Sequence, residues 1–204
     1  MKTALQIAAT FKPYVQTQLV ALLVWVAINL VSLGFEFNQW RQRRAQATSN
    51  DDGSRGLLLT GTVLGLALLI LSPRLAPGAA IRPAWLAFAG GLTIYLAGFG
   101  MRRWSEMTLG RYFTFEVMTS ADQPVVTTGP YRYVRHPGYT GVVLVVIGAG
   151  VVTGNWVGLA GWTLLVLLPL LYRIHVEESA LLRALGETYR SYATRRKRLV
   201  PLVW

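Results

Sequence analysis

Apolar runs alternate with short polar connections along this chain, and their lengths predict membrane-crossing helices. The first run extends from about Tyr14 to Phe37, holding Asn29 and ending near Glu36. A second spans about Gly56 to Leu71; Ser72-Pro73 ends it, and Pro77-Gly78 makes a tight connection. The third runs from Pro83, at a plausible first helical position, to about Met101. The fourth, Tyr139 to Val152, is short for a hydrocarbon layer of about 30 Å. Gly154-Asn155 turns the chain into the fifth, Trp156 to Tyr172. Residues Met1 to Lys12 suit a short interfacial helix. The Asn38–Arg55 connection has a turn-like centre at Ser49-Asn50-Asp51-Asp52-Gly53. Arg102 to Pro137 is the longest polar segment, too charged and turn-rich to be a span. After Arg173 the tail places Leu181, Leu182, Leu185, Tyr189 and Tyr192 on one helical face, with Gly186 as a break or cap.

The expected fold class is therefore an all-α integral membrane protein with about five transmembrane helices and a C-terminal amphipathic helix at the cytoplasmic face. It reads as a single membrane domain, 1–204. Three helices fall within 1–101, and 102–204 holds the cofactor-binding and catalytic region around a helical hairpin, 139–172.

Composition sharpens this picture. Hydrophobic residues make up 53% of the 204 and charged residues only 14%, against roughly a quarter charged in soluble domains. No cysteine is present, which excludes disulfides, thiolate nucleophiles and cysteine metal sites. No removable signal peptide is expected, because no small-residue cleavage site follows a short apolar core. The net charge of +11 reads as topology. With the N-terminus outside, only Lys2, Lys12, Arg74 and Arg82 of the 20 cations lie outside. The rest gather on the inner face, as cytoplasmic loops do. The expected location is an inner or cell membrane, with the active site cytoplasmic.

A hairpin returns to the side it left. The two segments flanking the last two apolar runs therefore meet on one face, and residues near His136 can build one site with residues near Glu177. The first segment reads Val126-Thr127-Thr128-Gly129-Pro130-Tyr131-Arg132-Tyr133-Val134-Arg135-His136-Pro137-Gly138-Tyr139-Thr140-Gly141. Pro137 fits a first helical turn, whose free backbone N–H groups suit an anion. Arg135 and His136 add donors there. The second reads Arg173-Ile174-His175-Val176-Glu177-Glu178-Ser179-Ala180-Leu181-Leu182. Arg173 and Glu177 stand four apart on one helical face. Ionisable groups at a span's end are functional candidates, the carboxylate for a cationic ligand and the arginine for an anionic one.

This pair of segments resembles the isoprenylcysteine carboxyl methyltransferase family, and the wider group of membrane methyltransferases that includes phospholipid methyltransferases. The stretch Arg103-Trp104-Ser105-Glu106-Met107-Thr108-Leu109-Gly110 also resembles bacterial members. The resemblance covers about Arg102 to Trp204. It implies S-adenosyl-L-methionine bound at the membrane face without a Rossmann fold. It implies cofactor contacts at Tyr131, His136, Pro137, Gly138 and Tyr139, with Gln123, Pro124, Val125 and Val126 lining the pocket through backbone groups. Glu177 would contact the cofactor's amino group or offset its charge, and Glu116 would add a polar contact. Arg173 and Arg135 are the catalytic candidates, with Arg173 orienting the acceptor's carboxylate.

The implied activity is methyl transfer to the carboxylate of a lipidated or amphiphilic, isoprenylcysteine-type acceptor. An amine acceptor, including a phospholipid headgroup, would need a base such as His136, Glu177 or Glu178. A membrane sterol-type reductase would use NADPH, with the Arg-rich tail holding the 2′-phosphate. A non-enzymatic scaffold would bind no cofactor. The expected partners are the lipid bilayer and a lipophilic or prenylated acceptor, small molecule or protein, with no nucleic acid and no metal. The oligomeric state is open. Arg195-Arg196-Lys197-Arg198 reads as a solvated or lipid-headgroup-binding patch. Gly61, Gly65, Gly148 and Gly150 suit close helix packing.

Overall fold

Each apolar run from residue 56 onward becomes a helix, and the polar residues at its ends decide how far that helix extends. The computed structural model describes residues 48–49, 53–110, 118–119, 124–201 and 204. The interfacial helix and first span expected before residue 38 lie outside them. The described residues fall in one compact unit, Gln46–Trp204. It contains α1 (Ser54–Leu75), α2 (Ala84–Leu109), α3 (Pro137–Val152) and α4 (Trp156–Arg195). Short 3₁₀ turns lie at Pro77–Ala79 and Gly129–Arg132. A two-residue strand β1 (Thr48–Ser49) pairs antiparallel with β2 (Met118–Thr119).

Among the described residues, α1, α2 and α4 are long and apolar enough to cross a membrane, whereas α3 has 16 residues. Leu59, Val63 and Ile70 of α1 are more than half exposed. Such a surface suits lipid and would be a liability in water.

Three boundaries differ from the sequence reading. Ser72-Pro73 does not end α1, which runs on to Leu75. Pro73 cannot donate to the Leu69 carbonyl, but Ser72 Oγ donates to it at 3.0 Å, so the turn survives. Helix α2 continues eight residues past Met101, into the segment expected to be polar connection. Hydropathy falls there, but Arg102 and Arg103 both pair with Glu106 one turn on, and the backbone ladder persists to Gly110, whose positive φ stops it. The amphipathic tail helix is continuous with the fifth run. Gly186 interrupts it at φ 53°, the break expected at that glycine.

The two tight turns meet at one end of the unit. Asn155 caps α4 by accepting from Val157 N at 3.0 Å and Gly158 N at 3.1 Å. Its Nδ2 donates to Ala76 O at 2.8 Å, and Ile81 N donates to Gly154 O at 2.7 Å. The start of α1, the end of α2, the 124–136 loop and the chain after Tyr172 are thereby collected at the other end.

Helix α2 packs on α3, and α1 on α4, through small residues as expected. A Cβ on Gly148 would stand 2.4 Å from Tyr95 N, and one on Gly61 would stand 2.1 Å from Leu165 O. Trp162 closes the core with Leu69, Val146 and Val166, and its indole donates to Val146 O at 2.9 Å. Gly148→Val must push backbone apart. It is expected to cost at least the roughly 1–3 kcal/mol of core overpacking, read as a lowered unfolding temperature in detergent. An unchanged transition would refute this packing.

Candidate active site

The α3–α4 hairpin sets the start of α3 beside the polar part of α4, five to six residues beyond Tyr172. Pro137 opens α3 at N1, where its missing N–H leaves nothing unsatisfied. Tyr139, within the first turn, reaches across to α4. Arg173 Nε donates to Tyr139 Oη at 3.0 Å, and Tyr139 Oη donates to Glu177 Oε2 at 2.5 Å. Arg173 also donates through Nη1 to Ser54 Oγ at the start of α1, at 3.2 Å. Arg173 is 4% exposed, so its guanidinium is held in the protein and does not snorkel. One helical turn of α4 thus presents a cation and an anion joined by one phenol.

Glu178 turns the other way and gathers three donors. His136 Nε2 lies 3.1 Å from its Oε1, and Arg135 Nη2 lies 3.0 Å from the same oxygen. Arg198 Nε and Nη2 donate to Oε2 at 3.0 and 2.9 Å. Burial pushes the Glu178 carboxyl up, but hydrogen bonds from His136 and Arg198 and the charge of Arg135 outweigh it, leaving it at about 2. Glu178 is therefore ionised at neutral pH and can only accept, so Nε2 of His136 carries the proton. His136 Nδ1 lies 3.8 Å from Glu177 Oε1, beyond a direct hydrogen bond.

The C-terminal segment completes this wall. Arg135 N donates to Lys197 O at 2.7 Å, His136 N to Arg198 O at 3.0 Å, and Thr140 Oγ1 to Leu199 O at 2.8 Å. Tyr192 Oη donates to Tyr131 O at 2.7 Å. Tyr131 and Tyr189 are buried; burial pushes both phenols well up, reinforced by the Glu177 charge at Tyr131 and by Glu178 and Glu177 at Tyr189, so both stay neutral donors. Tyr189 Oη has no hydrogen-bond partner among the described residues.

The structure thus brings together Tyr131, Arg135, His136, Pro137, Tyr139, Arg173 and Glu177 of the expected site. Gly138 sits at the start of α3, where an added Cβ would meet only Ser105 Cβ at 3.8 Å, leaving room beside the helix terminus. Pro124 is exposed and Val125 and Val126 are half-buried on the chain leading in. Among the described residues no hydrogen bond joins them to this cluster. Glu116 and Gln123 lie outside the described residues. Sequence reasoning missed the work of Glu178, Arg198 and Ser54. It treated Arg198 as part of a surface patch, whereas its guanidinium is committed to Glu178. The only available signal was the apolar spacing of Tyr189 and Tyr192, which docks the tail.

Residues 91–183 match the model of the isoprenylcysteine carboxyl methyltransferase family. That match takes in α2 from Gly91 onward, α3 and the Arg173–Glu178 turn.

Over these residues the chain is similar to the isoprenylcysteine carboxyl methyltransferase family.

Similar proteins carry the same description. A probable protein-S-isoprenylcysteine O-methyltransferase of Oryza sativa subsp. indica is 30% identical over 115 residues, 55% of this chain and 60% of that protein. The Xenopus laevis protein-S-isoprenylcysteine O-methyltransferase is 34% identical over 110 residues, 53% of this chain and 38% of that one. A solved structure of a eukaryotic intramembrane Ras methyltransferase of this family superposes with a TM-score of 0.60 at 26% identity. It covers 71% of this chain and 52% of the other. The chain spans 60% of the length of the rice relative it matches.

Proposed function

We propose that this protein transfers a methyl group from S-adenosyl-L-methionine to the carboxylate of an isoprenylcysteine-type or otherwise lipid-borne acceptor at the membrane surface. The observation that carries this reading is the Arg173–Tyr139–Glu177 relay. It places an anion-binding and a cation-binding group one helical turn apart on one face of α4, as a carboxylate acceptor and a sulfonium donor require side by side.

The residues present fit the cofactor. Glu177 suits its ammonium or sulfonium charge, and Tyr131 and the unpartnered Tyr189 hydroxyl offer aromatic and polar contact. The open side at Gly138, beside first-turn N–H groups that helix geometry leaves without an intrahelical acceptor, suits its carboxylate. When bound, S-adenosyl-L-methionine supplies an electrophilic methyl on a positively charged sulfur. Arg173 orients the acceptor, whose carboxylate is already ionised at neutral pH because its ordinary pKa is about 4. No general base is needed, which fits a His136 whose Nε2 is occupied by Glu178. The chain's task is alignment and exclusion of water, a contribution of roughly 7–11 kcal/mol.

Five transmembrane helices, the first over 14–37, complete the proposed topology. The N-terminus is outside, and the Arg173–Glu178 turn is cytoplasmic in an inner or cell membrane. The lipid-facing bundle admits the acceptor's apolar part laterally, while the cofactor enters from water.

Calorimetric titration of the full chain in detergent tests the site. S-adenosylhomocysteine is expected to bind, and Glu177→Gln to weaken it at least about ten-fold, the scale of one charge-assisted hydrogen bond. Incubation with methyl-labelled cofactor and an N-acetylated S-prenyl cysteine should give a label released as methanol in mild base, the signature of a methyl ester. A base-stable label would mean an amine acceptor. Binding of NADPH in place of S-adenosylhomocysteine would overturn the reading in favour of a reductase.

A further inference from the structure

A cavity lies against the Arg135–Arg198 wall, and Glu177 is not among its lining residues. Its volume is about 550 Å³, within the size of small-molecule sites. Arg132, Arg135, Arg195, Arg196, Lys197 and Arg198 line it, and no acidic residue does. Glu178 offsets Arg135 and Arg198 from behind. Among the described residues no carboxylate pairs with Arg132, Arg195, Arg196 or Lys197. The Nε groups of Arg135 and Arg196 are buried with no hydrogen-bond partner among the described residues. Six like charges around one hollow repel one another. An anion with several oxygens relieves that repulsion and can take the exposed guanidinium N–H groups as donors.

The cavity's position says which anion. It opens at the end of the helices where α3 begins and the polar tail of α4 folds back. Tyr133 and Trp204 line its rim at 48% and 41% exposure, and the guanidinium groups of Arg132 and Arg198 stack on these rings at 4.4 and 5.1 Å. Exposed aromatic rings among arginines mark the headgroup level of a bilayer. Pro201 adds apolar lining, and Val200 beside it is half exposed. A sulfonium cofactor would be repelled here, so this hollow serves another ligand.

We infer that this cavity binds the phosphate of an anionic phospholipid headgroup, next to the active-site wall and independently of methyl transfer. Arg132 and Arg196 are its committed ligands, because neither touches Glu178.

The test uses the full chain in phosphatidylcholine nanodiscs or mild detergent, with bound lipid counted by native mass spectrometry. Phosphatidylglycerol is expected to bind at least about ten-fold tighter than phosphatidylcholine, and millimolar inorganic phosphate to displace it. Arg132→Gln/Arg196→Gln should bring the two lipids within about two-fold, with S-adenosylhomocysteine affinity and unfolding temperature unchanged. Arg183→Gln/Arg190→Gln makes the same charge change on exposed parts of α4 and should retain the preference. Equal affinity for both lipids, or equal loss in the two double variants, would overturn the inference. Saturation by inorganic phosphate with no phosphatidylglycerol preference would overturn the lipid and assign the hollow to soluble phosphate.

Discussion

Arg173→Met is expected to lower kcat/KM for a carboxylate acceptor by about 10²–10³, the cost of removing one preorganised donor from a site shielded from water. Affinity for S-adenosylhomocysteine should stay within a few-fold, because Tyr139 still donates to Glu177. The guanidinium is buried and held from two sides, by Tyr139 Oη and Ser54 Oγ. It is aimed before any acceptor arrives, and in a low-dielectric setting its field on a carboxylate is strong. Arg173→Lys should not rescue, since one ammonium cannot reproduce the two-sided grip of a planar fork. Ser54→Ala removes one support and should cost only a few-fold, which separates positioning from charge. Parallel unfolding curves check that the Met variant is folded. An amine acceptor reverses the expectation: removing a cation beside a cationic substrate would leave the rate unchanged or raise it. Activity retained in Arg173→Met would therefore sink the carboxylate reading while sparing methyl transfer.

The features that were legible in the sequence are those that depend on local spacing. Pro137 at a helix start, Gly186 as a break, the Gly154-Asn155 turn and the shared face of Arg173 and Glu177 all follow from periodicity and backbone chemistry within a few residues. The hairpin argument also brought His136 to Glu177 correctly, because a two-residue turn leaves little freedom. Helix ends were misread where two physical quantities part company. Hydropathy reports what a lipid tolerates, whereas the backbone ladder asks only for helical φ and ψ and satisfied carbonyls. Ser72 keeps α1 going through Pro73, and Arg102 and Arg103 with Glu106 carry α2 past its apolar end. The contacts of Arg173 with Ser54, 119 residues away, and of the tail carbonyls with the Arg135-His136 backbone have no periodic trace. A basic run of four looks like a solvated patch whichever of its members turns inward, and only the fold distinguishes Arg198 from its neighbours.

That inward turn makes Glu178, not Glu177, the residue whose loss should be felt most widely. Glu178→Ala is expected to abolish activity, weaken S-adenosylhomocysteine binding and destabilise the site by about 3–5 kcal/mol, the usual result of stripping a buried counter-ion from its partners. Arg135 and Arg198 would then face each other without an anion, at the point where the tail backbone clasps His136. The tail should release, so trypsin should cut at Arg195–Lys197 many-fold faster than in the parent protein. Glu178→Gln keeps an acceptor for His136 Nε2 but no charge, and should fall between the two. Arg198→Met removes the outermost partner, whose side chain is 35% exposed, and should free the tail at smaller cost while leaving Arg135 paired. A purely catalytic Glu178 predicts something else: lost turnover with a protected tail and unchanged cofactor affinity. The protease readout decides between a group that acts on substrate and one that holds the wall against which substrate is aligned.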